Sequence, residues 1–172
     1  MSEVRSLIQV RNLDLEYDEY RVLQDVGFDL EKGKCLVVMG GSGCGKSTLL
    51  KSMIGLLRPT NGRIEVDGIS LWDANYGDRK KILRKFGVLF QGGALWSSMS
   101  ILENVSLPLK LHSGLSEADS EKIGRYKLNL VGLAGFENFF PAELSGGMRK
   151  RAGLARAMAL DPEVLFFDEP SA

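Results

Sequence analysis

The sequence predicts an α/β fold, because strand-like and helix-like patterns alternate along its 172 residues. Two segments near the start, LIQVRNLDLEY and RVLQDVGFDL, carry apolar residues at every second position and predict strands of a small, mostly antiparallel sheet. Residues 35–39 (CLVVM) form a continuous apolar run suited to a buried strand. A glycine-rich loop and then a segment with helical spacing, KSTLLKSMIGLL, follow it. The order of strand, glycine-rich loop and helix is the strongest single indication of the fold class.

The remaining elements follow in order. GRIEVDG, after the turn at Asn61-Gly62, predicts another strand, and Pro59 is expected to close the helix before it. From about residue 95 to 150 the patterns are mainly helical, and Gly124 weakens the helix predicted there. GGMRKRAGLARAMAL predicts a strong helix that ends before Asp161-Pro162, and EVLFF predicts a second buried strand. No internal repeat is present.

Composition excludes several classes of protein. The 22 basic and 22 acidic side chains give a formal net charge of zero, so no general attraction to nucleic acid is expected. Cys35 and Cys44 cannot form a disulfide framework, and no secretory signal opens the chain, which favours the cytosol. The apolar runs are far shorter than the roughly 20 residues of a membrane-spanning helix, so any membrane function would need a partner.

The segment GGSGCGKST contains the pattern G-x-x-x-x-G-K-[ST], which predicts a phosphate-binding loop. Its glycines allow backbone N–H groups to surround phosphates, and the following helix directs its positive end at the same anion. Lys46 is expected to reach the β and γ phosphates, and Ser47 to ligate Mg²⁺. The residues predicted to contact the nucleotide here are Gly40, Gly41, Ser42, Gly43, Cys44, Gly45, Lys46, Ser47 and Thr48.

The segment VLFFDE ends a predicted buried strand with two carboxylates. Asp168 is expected to hold Mg²⁺, and Glu169 to take a proton from an attacking water. Such a pair alone is weak evidence, since strands often end in acidic turn residues, but the phosphate loop strengthens it.

The segment LSGGM has two interpretations from spacing alone. In the first, Ser145 simply caps the helix that follows. Alternatively, Ser145, Gly146 and Gly147 offer hydroxyl and N–H groups to a second phosphate.

Together, GGSGCGKST, LFQ, LSGGM and VLFFDEP resemble the ATP-binding subunit of ABC (ATP-binding cassette) transporters over essentially the whole chain. The resemblance implies an α/β P-loop (RecA-like) core with an antiparallel β subdomain and an inserted α-helical subdomain. The β subdomain and the P-loop core are expected at about residues 1–94, the helical subdomain at about 95–147, and the return to the core at about 148–172. It implies that Gln91 senses Mg²⁺ and contacts the membrane subunit, acting in catalysis with Glu169 and Lys46. It also implies that Tyr17 stacks on adenine, although Tyr17 could be an ordinary strand aromatic.

The resemblance further implies ATP and Mg²⁺ as ligands, with Ser47, Gln91 and Asp168 at the metal. It implies a head-to-tail homodimer in which Ser145, Gly146 and Gly147 close the partner's site. A membrane-embedded permease is the second implied partner, which would place the protein on the cytoplasmic face of the membrane.

A finer similarity links FQGGALWSSMSILENVSLPL to the ATPases of bacterial Mla phospholipid-transport systems with MCE proteins. The family pattern also continues past DEPSA into further core strands and a γ-phosphate histidine, so we expect a carboxy-terminal truncation and weak turnover. His112 does not match that role. Two alternatives are a nucleotide-binding module without efficient hydrolysis and a soluble ABC-type ATPase.

Overall fold

The computed structural model describes residues 6–17 and 20–169. The chain divides into two compact units, Met1–Leu83 and Arg84–Ala172. The subdomain boundaries near residues 94 and 147 stay predictions. The α/β fold class is confirmed, with an antiparallel sheet near the start and helices after it.

The first unit contains a four-stranded antiparallel sheet in the order β2-β1-β3-β4. Its strands are β1 (Ser6–Tyr17), β2 (Tyr20–Glu31), β3 (Asn61–Val66) and β4 (Ile69–Ser70). The predicted alternation of β1 is interrupted by a register shift between Val10 and Leu13, beside Asn12 with φ 47°. The shift moves the buried positions of β1 from Ile8 and Val10 to Leu13 and Leu15. A side chain at Gly62 would collide with the backbone of Asn12, so the close approach of β3 to β1 at this point requires glycine.

Two helices accompany this sheet along the chain. Helix α1 (Lys46–Met53) buries Leu49, Leu50 and Met53. It ends earlier than Pro59 would suggest, because Gly55 follows in the left-handed region with φ 80°. Helix α2 (Tyr76–Arg84) reaches the boundary between the units.

The prediction of a buried strand at residues 35–39 is wrong. These residues have no strand conformation, and Met39 is 88% exposed. The sheet of the first unit is built from β1 to β4, and no described strand pairs with this run. A continuous apolar segment becomes a buried strand only where neighbours cover both faces, and periodicity cannot reveal whether they do.

The second unit contains a parallel strand pair, β5 (Phe86–Leu89) and β6 (Val164–Phe167). The strand predicted from EVLFF is confirmed, although only Val164 is fully buried in it. Phe86 and Phe166 pack edge to face with ring centroids 5.1 Å apart. The ladder continues one step further, since the N–H of Asp168 donates to the carbonyl of Leu89 at 2.9 Å.

Three helices follow β5 in the second unit: α3 (Ile101–His112), α4 (Glu117–Leu130) and α5 (Gly146–Ala157). Short 3-10 turns lie at Gln91–Gly93 and Pro141–Glu143. One apolar cluster joins the three helices, and its buried members are Ile101, Leu102, Val105, Leu128, Leu133, Leu144, Ala152 and Ala155. Among the residues that the structure describes, no helix has the length and apolar content required to cross a bilayer.

Candidate nucleotide-binding site

The predicted phosphate loop lies in the first unit, immediately before α1. Gly43 and Gly45 have φ values of 78° and 98°, which only glycine adopts without strain. A side chain at Gly45 would also lie 2.9 Å from Cγ1 of Val22 and 3.0 Å from Leu23. The second strand therefore restricts this position to glycine for steric as well as conformational reasons.

Lys46 folds back over the loop that precedes it. Its ammonium group donates to the carbonyl of Gly40 at 2.9 Å and to that of Gly41 at 2.8 Å, and Cys44 Sγ lies 3.9 Å away. The thiol of Cys44 also occupies the space beside Gly40, where a larger residue would meet it. Cys35 and Cys44 are both exposed free cysteines. The loop thus has a defined shape that is stabilised by its own lysine.

The start of α1 is suited to an anion. Its N-cap is Gly45, which makes no side-chain capping bond, and the first turn carries no acidic residue. Free N–H groups and the helix dipole at such an end attract negative charge. Ser47 is exposed at the same end. These residues fit a phosphate group and an accompanying divalent cation.

Tyr17 lies at the end of β1 and is 42% exposed. The ammonium of Lys51 lies 6.0 Å from the centroid of its ring. No sequence signal marks Lys51 as a contact of Tyr17, because a lysine on a helix does not indicate which ring it approaches. The predicted contact of Tyr17 with adenine stays a prediction.

The second unit brings the predicted catalytic glutamine and glutamate together. Gln91 follows β5, and Glu169 follows β6, so both lie at the carboxyl ends of paired parallel strands. Nε2 of Gln91 donates to Oε2 of Glu169 at 3.2 Å. Asp168 is held by its backbone bond to Leu89 and makes further contacts. Within residues 6–17 and 20–169, no group of three or more His, Cys, Asp or Glu side chains could hold a metal ion.

The LSGGM segment forms the start of α5. Oγ of Ser145 accepts a hydrogen bond from the N–H of Met148 at 3.3 Å, which confirms the capping interpretation. Ser145, Gly146 and Gly147 are all exposed, and the first turn of α5 has no acidic residue. The second interpretation, a phosphate contact, stays a prediction.

Three structural contacts near these residues were not predicted from sequence. Gly93 and Gly153 bring the turn after Gln91 against α5, and Arg156 hydrogen-bonds to that turn. Asn104 is completely buried and bonds to the loop before α3. In the sequence, the Gly92-Gly93 pair was the available signal for the close contact of the turn, and a polar residue within ILENVSL was the available signal for Asn104.

The glycine loop before α1 has the pattern of a phosphate-binding loop, and comparison with known proteins gives the family to which the chain belongs. The sequence family described as ABC transporter matches residues 23–172, so the chain belongs to that family. It is similar to the probable ribonucleotide transport ATP-binding protein Mkl of Mycobacterium leprae, with 47% identity over 95% of this chain and 47% of that protein.

It is also similar to the intermembrane phospholipid transport system ATP-binding protein MlaF of Haemophilus influenzae, with 40% identity over 96% of this chain and 63% of that protein. Among solved structures, the dimeric ATP-binding cassette MJ0796, in a post-hydrolysis state bound to ADP and Pi, aligns with a TM-score of 0.86. That alignment has 32% identity and covers 95% of this chain and 74% of that one. The chain spans about half the length of the first of these curated relatives.

Proposed function

We propose that this chain supplies the ATP-binding and ATP-hydrolysing site that powers an ABC transporter. The observation that carries the proposal is the loop before α1, in which Lys46 stands over glycine carbonyls at an uncapped helix start. Lys46 and the loop N–H groups would bind the β and γ phosphates. Ser47, Gln91 and Asp168 would hold Mg²⁺, which neutralises phosphate charge when it is bound.

Glu169 would act as the general base in this proposal. Its carboxylate accepts a hydrogen bond from Gln91, which orients Oε2 and leaves the other oxygen available to a water molecule. The water proton would pass to Glu169 as the water oxygen forms a bond to the γ-phosphorus. The bond between that phosphorus and the β,γ-bridging oxygen would break, and ADP and inorganic phosphate would be the products. A positioned base of this kind contributes typically about 10²–10⁴-fold in rate.

The proposed assembly is a head-to-tail homodimer docked on a membrane-embedded permease at the cytoplasmic face. The exposure of Ser145, Gly146 and Gly147 at the start of α5 supports it, because these groups are available to a second copy. A two-fold arrangement would place them against the phosphates bound by the partner's Lys46. That one similar solved structure is a dimer is consistent with this proposal.

The cargo we propose is a phospholipid of the bacterial envelope. The similarity to MlaF supports this choice, as does the segment FQGGALWSSMSILENVSLPL that includes Gln91. Overall identity alone does not distinguish cargoes, since a methionine import ATP-binding protein of Oceanobacillus iheyensis is 41% identical. A transporter purified through a tag on this subunit should therefore contain bound phospholipid and show ATPase activity that phospholipid stimulates. Stimulation by methionine or sulfate instead would overturn the cargo assignment.

ATP binding and turnover should be compared between the wild-type chain and Lys46→Ala, with Lys80→Ala as the matched control. Lys80 is an exposed lysine on α2, outside the phosphate loop. Hydrogen bonds from a charged donor contribute about 1.5–3 kcal/mol, so Lys46→Ala should weaken ATP binding about 10–100-fold while Lys80→Ala leaves it unchanged. Glu169→Gln should retain binding and lose turnover. Equal ATP affinity in the wild-type chain, Lys46→Ala and Lys80→Ala would refute the proposed site.

A further inference from the structure

The turn after Gln91 touches helix α5 through backbone atoms. Gly93 and Gly153 face each other, and a Cβ added to Gly153 would lie 2.8 Å from Cα and 2.9 Å from the carbonyl oxygen of Gly93. A Cβ added to Gly93 would lie 2.7 Å from the carbonyl oxygen of Arg149. Real Cβ atoms do not approach other atoms so closely, and here the atoms met are backbone. This close approach therefore requires glycine at both positions.

The turn has an unusual backbone as well as a close contact. Gly92, Gly93 and Ala94 have consecutive φ values of 75°, 86° and 49°, all in the left-handed region. Gly92 and Gly93 adopt this region freely, whereas Ala94 does so at some cost. A strained conformation persists only where surrounding contacts fix it. Helix α5 provides such contacts.

Arg156 provides the polar part of this contact. Its Nη2 donates to the carbonyl of Gly93 at 3.0 Å, and its side chain is half-buried. Burial lowers the pKa of the Arg156 guanidinium from its ordinary value. A buried charge is costly unless it is hydrogen-bonded. Loss of the bond to the Gly93 carbonyl would therefore destabilise the guanidinium of Arg156 in this position.

Helix α5 therefore connects two predicted functional elements of the same unit. Its first residues carry the exposed Ser145-Gly146-Gly147 segment, and its later residues fix the turn that begins at Gln91. Gln91 in turn hydrogen-bonds to Glu169. A displacement of the turn on α5 would move the Gln91 amide relative to the carboxylate that it orients.

We infer that Arg156, together with the Gly93–Gly153 contact, is a positioning element for ATP turnover. It holds Gln91 at the distance from Glu169 that the reaction requires, and it does so without touching the nucleotide. This inference rests on the proposed ATPase function. It predicts that the element affects the catalytic step and leaves ATP binding by the loop around Lys46 unchanged.

The test is steady-state ATPase kinetics of the full chain carrying Arg156→Met, with Arg151→Met as the matched control. Arg151 lies on the same helix and also donates to backbone carbonyls, but those belong to Val131 and Gly132. Small misplacements of reacting groups can cost up to 10²-fold, so we expect Arg156→Met to lower kcat about tenfold. The KM for ATP should change by less than about twofold. Arg156→Lys, which retains one donor, should recover part of kcat.

A double-mutant cycle separates positioning from simple destabilisation. If Arg156 acts through Gln91, then Arg156→Met should cause little further loss in a Gln91→Ala background. A purely structural role would lower kcat by the same factor in both backgrounds. Equal losses in the two backgrounds, or equal kcat for Arg156→Met and Arg151→Met, would overturn the inference.

Gly153→Ala tests the same element if Arg156→Met fails to fold. Alanine favours the interior of a helix, so the substitution should not weaken α5 itself. Its expected structural effect is to push the backbone of Gly93 away from the added Cβ. Gly77→Ala in α2 is its control, because the added Cβ would meet only the side-chain oxygen of Asn75, at 3.3 Å. We expect a kcat loss for Gly153→Ala alone, and equal kcat in the two variants would contradict the inference. If wild-type turnover did not depend on Lys46, the proposed function itself would fail, which is a different result from either of these.

Discussion

Replacing Asn104 should destabilise the second unit more than its position on a helix would suggest. The side chain is completely buried. Its Nδ2 donates to the carbonyls of Trp96, Met99 and Ser100 at 3.0, 3.1 and 3.0 Å, and its Oδ1 accepts from the N–H of Trp96 at 2.8 Å. One amide thus satisfies both ends of the loop that leads from the Gln91 turn into α3.

The expected magnitude follows from the hydrogens available. The amide has two N–H groups to share among three carbonyls, and it accepts one further hydrogen, so about three effective hydrogen bonds are lost in Asn104→Ala. At about 1 kcal/mol each, the free energy of unfolding should fall by about 3 kcal/mol. Asn104→Asp keeps the shape and the acceptor but places an oxygen among three carbonyls, and it should cost at least as much.

Urea unfolding followed by far-UV circular dichroism measures this loss without relying on the fluorescence of the adjacent Trp96. With an m-value on the order of 2 kcal/mol/M, the midpoint should fall by about 1.5 M. Asn129→Ala is the matched control, because Asn129 is exposed on α4 in the same unit. Its effect should stay within about 0.5 kcal/mol. Similar midpoints for the two variants would refute the argument from the hydrogen-bond network.

Three further outcomes are expected. Asp161→Asn should lower the free energy of unfolding by about 1–2 kcal/mol, because it leaves the buried ammonium of Lys127 without the carboxylate that lies 2.5 Å away. Lys127→Met removes the buried charge itself and should be nearly neutral. Equal unfolding midpoints for these two variants would contradict this expectation. Gly45→Ala should abolish ATP binding and lower the melting temperature, because φ is 98° and Leu23 leaves no space, and retained binding in a titration would count against the loop geometry. The free energy of unfolding should also fall as pH drops below about 4.5, since hydrogen bonds lower the pKa of several carboxyl groups in the folded state. The stabilisation that these carboxylates contribute is present above their unfolded pKa and is lost as the folded groups are protonated. Those groups are Asp14, Asp78, Glu103 and Glu117. A flat stability profile between pH 5 and about 3 would argue against these bonds.

The sequence predicted local features well where one short segment contains the whole cause. The existence of strand β1, the start of α1 beside a glycine loop, and the cap at Ser145 each depend on residues within one turn or strand. The meeting of Gln91 and Glu169 does not belong to this group, because it depends on the pairing of β5 with the distant β6.

The features that sequence reasoning missed depend on distant partners. Strand β5 has only four residues, and its pairing with β6 joins positions nearly 80 residues apart, such as Phe86 and Val164. Residues 35–39 were predicted as a strand and are not one. An apolar run does not show whether another strand lies beside it, and no described strand pairs with these residues. The left-handed turn at Gly93 is fixed by Gly153, and no local pattern links the two.

The bonds that Lys46 makes with its own loop have a consequence for how nucleotide would be recognised. Because the ammonium already binds the carbonyls of Gly40 and Gly41, its rotamer freedom is lost during folding and not at the moment of association. Phosphate binding would then be an exchange of acceptors by a preorganised cation, from neutral carbonyls to anionic oxygens. It follows that Lys46 contributes to the order of the loop before any ligand arrives, and that its removal should increase hydrogen exchange at residues 40–45 in the free protein.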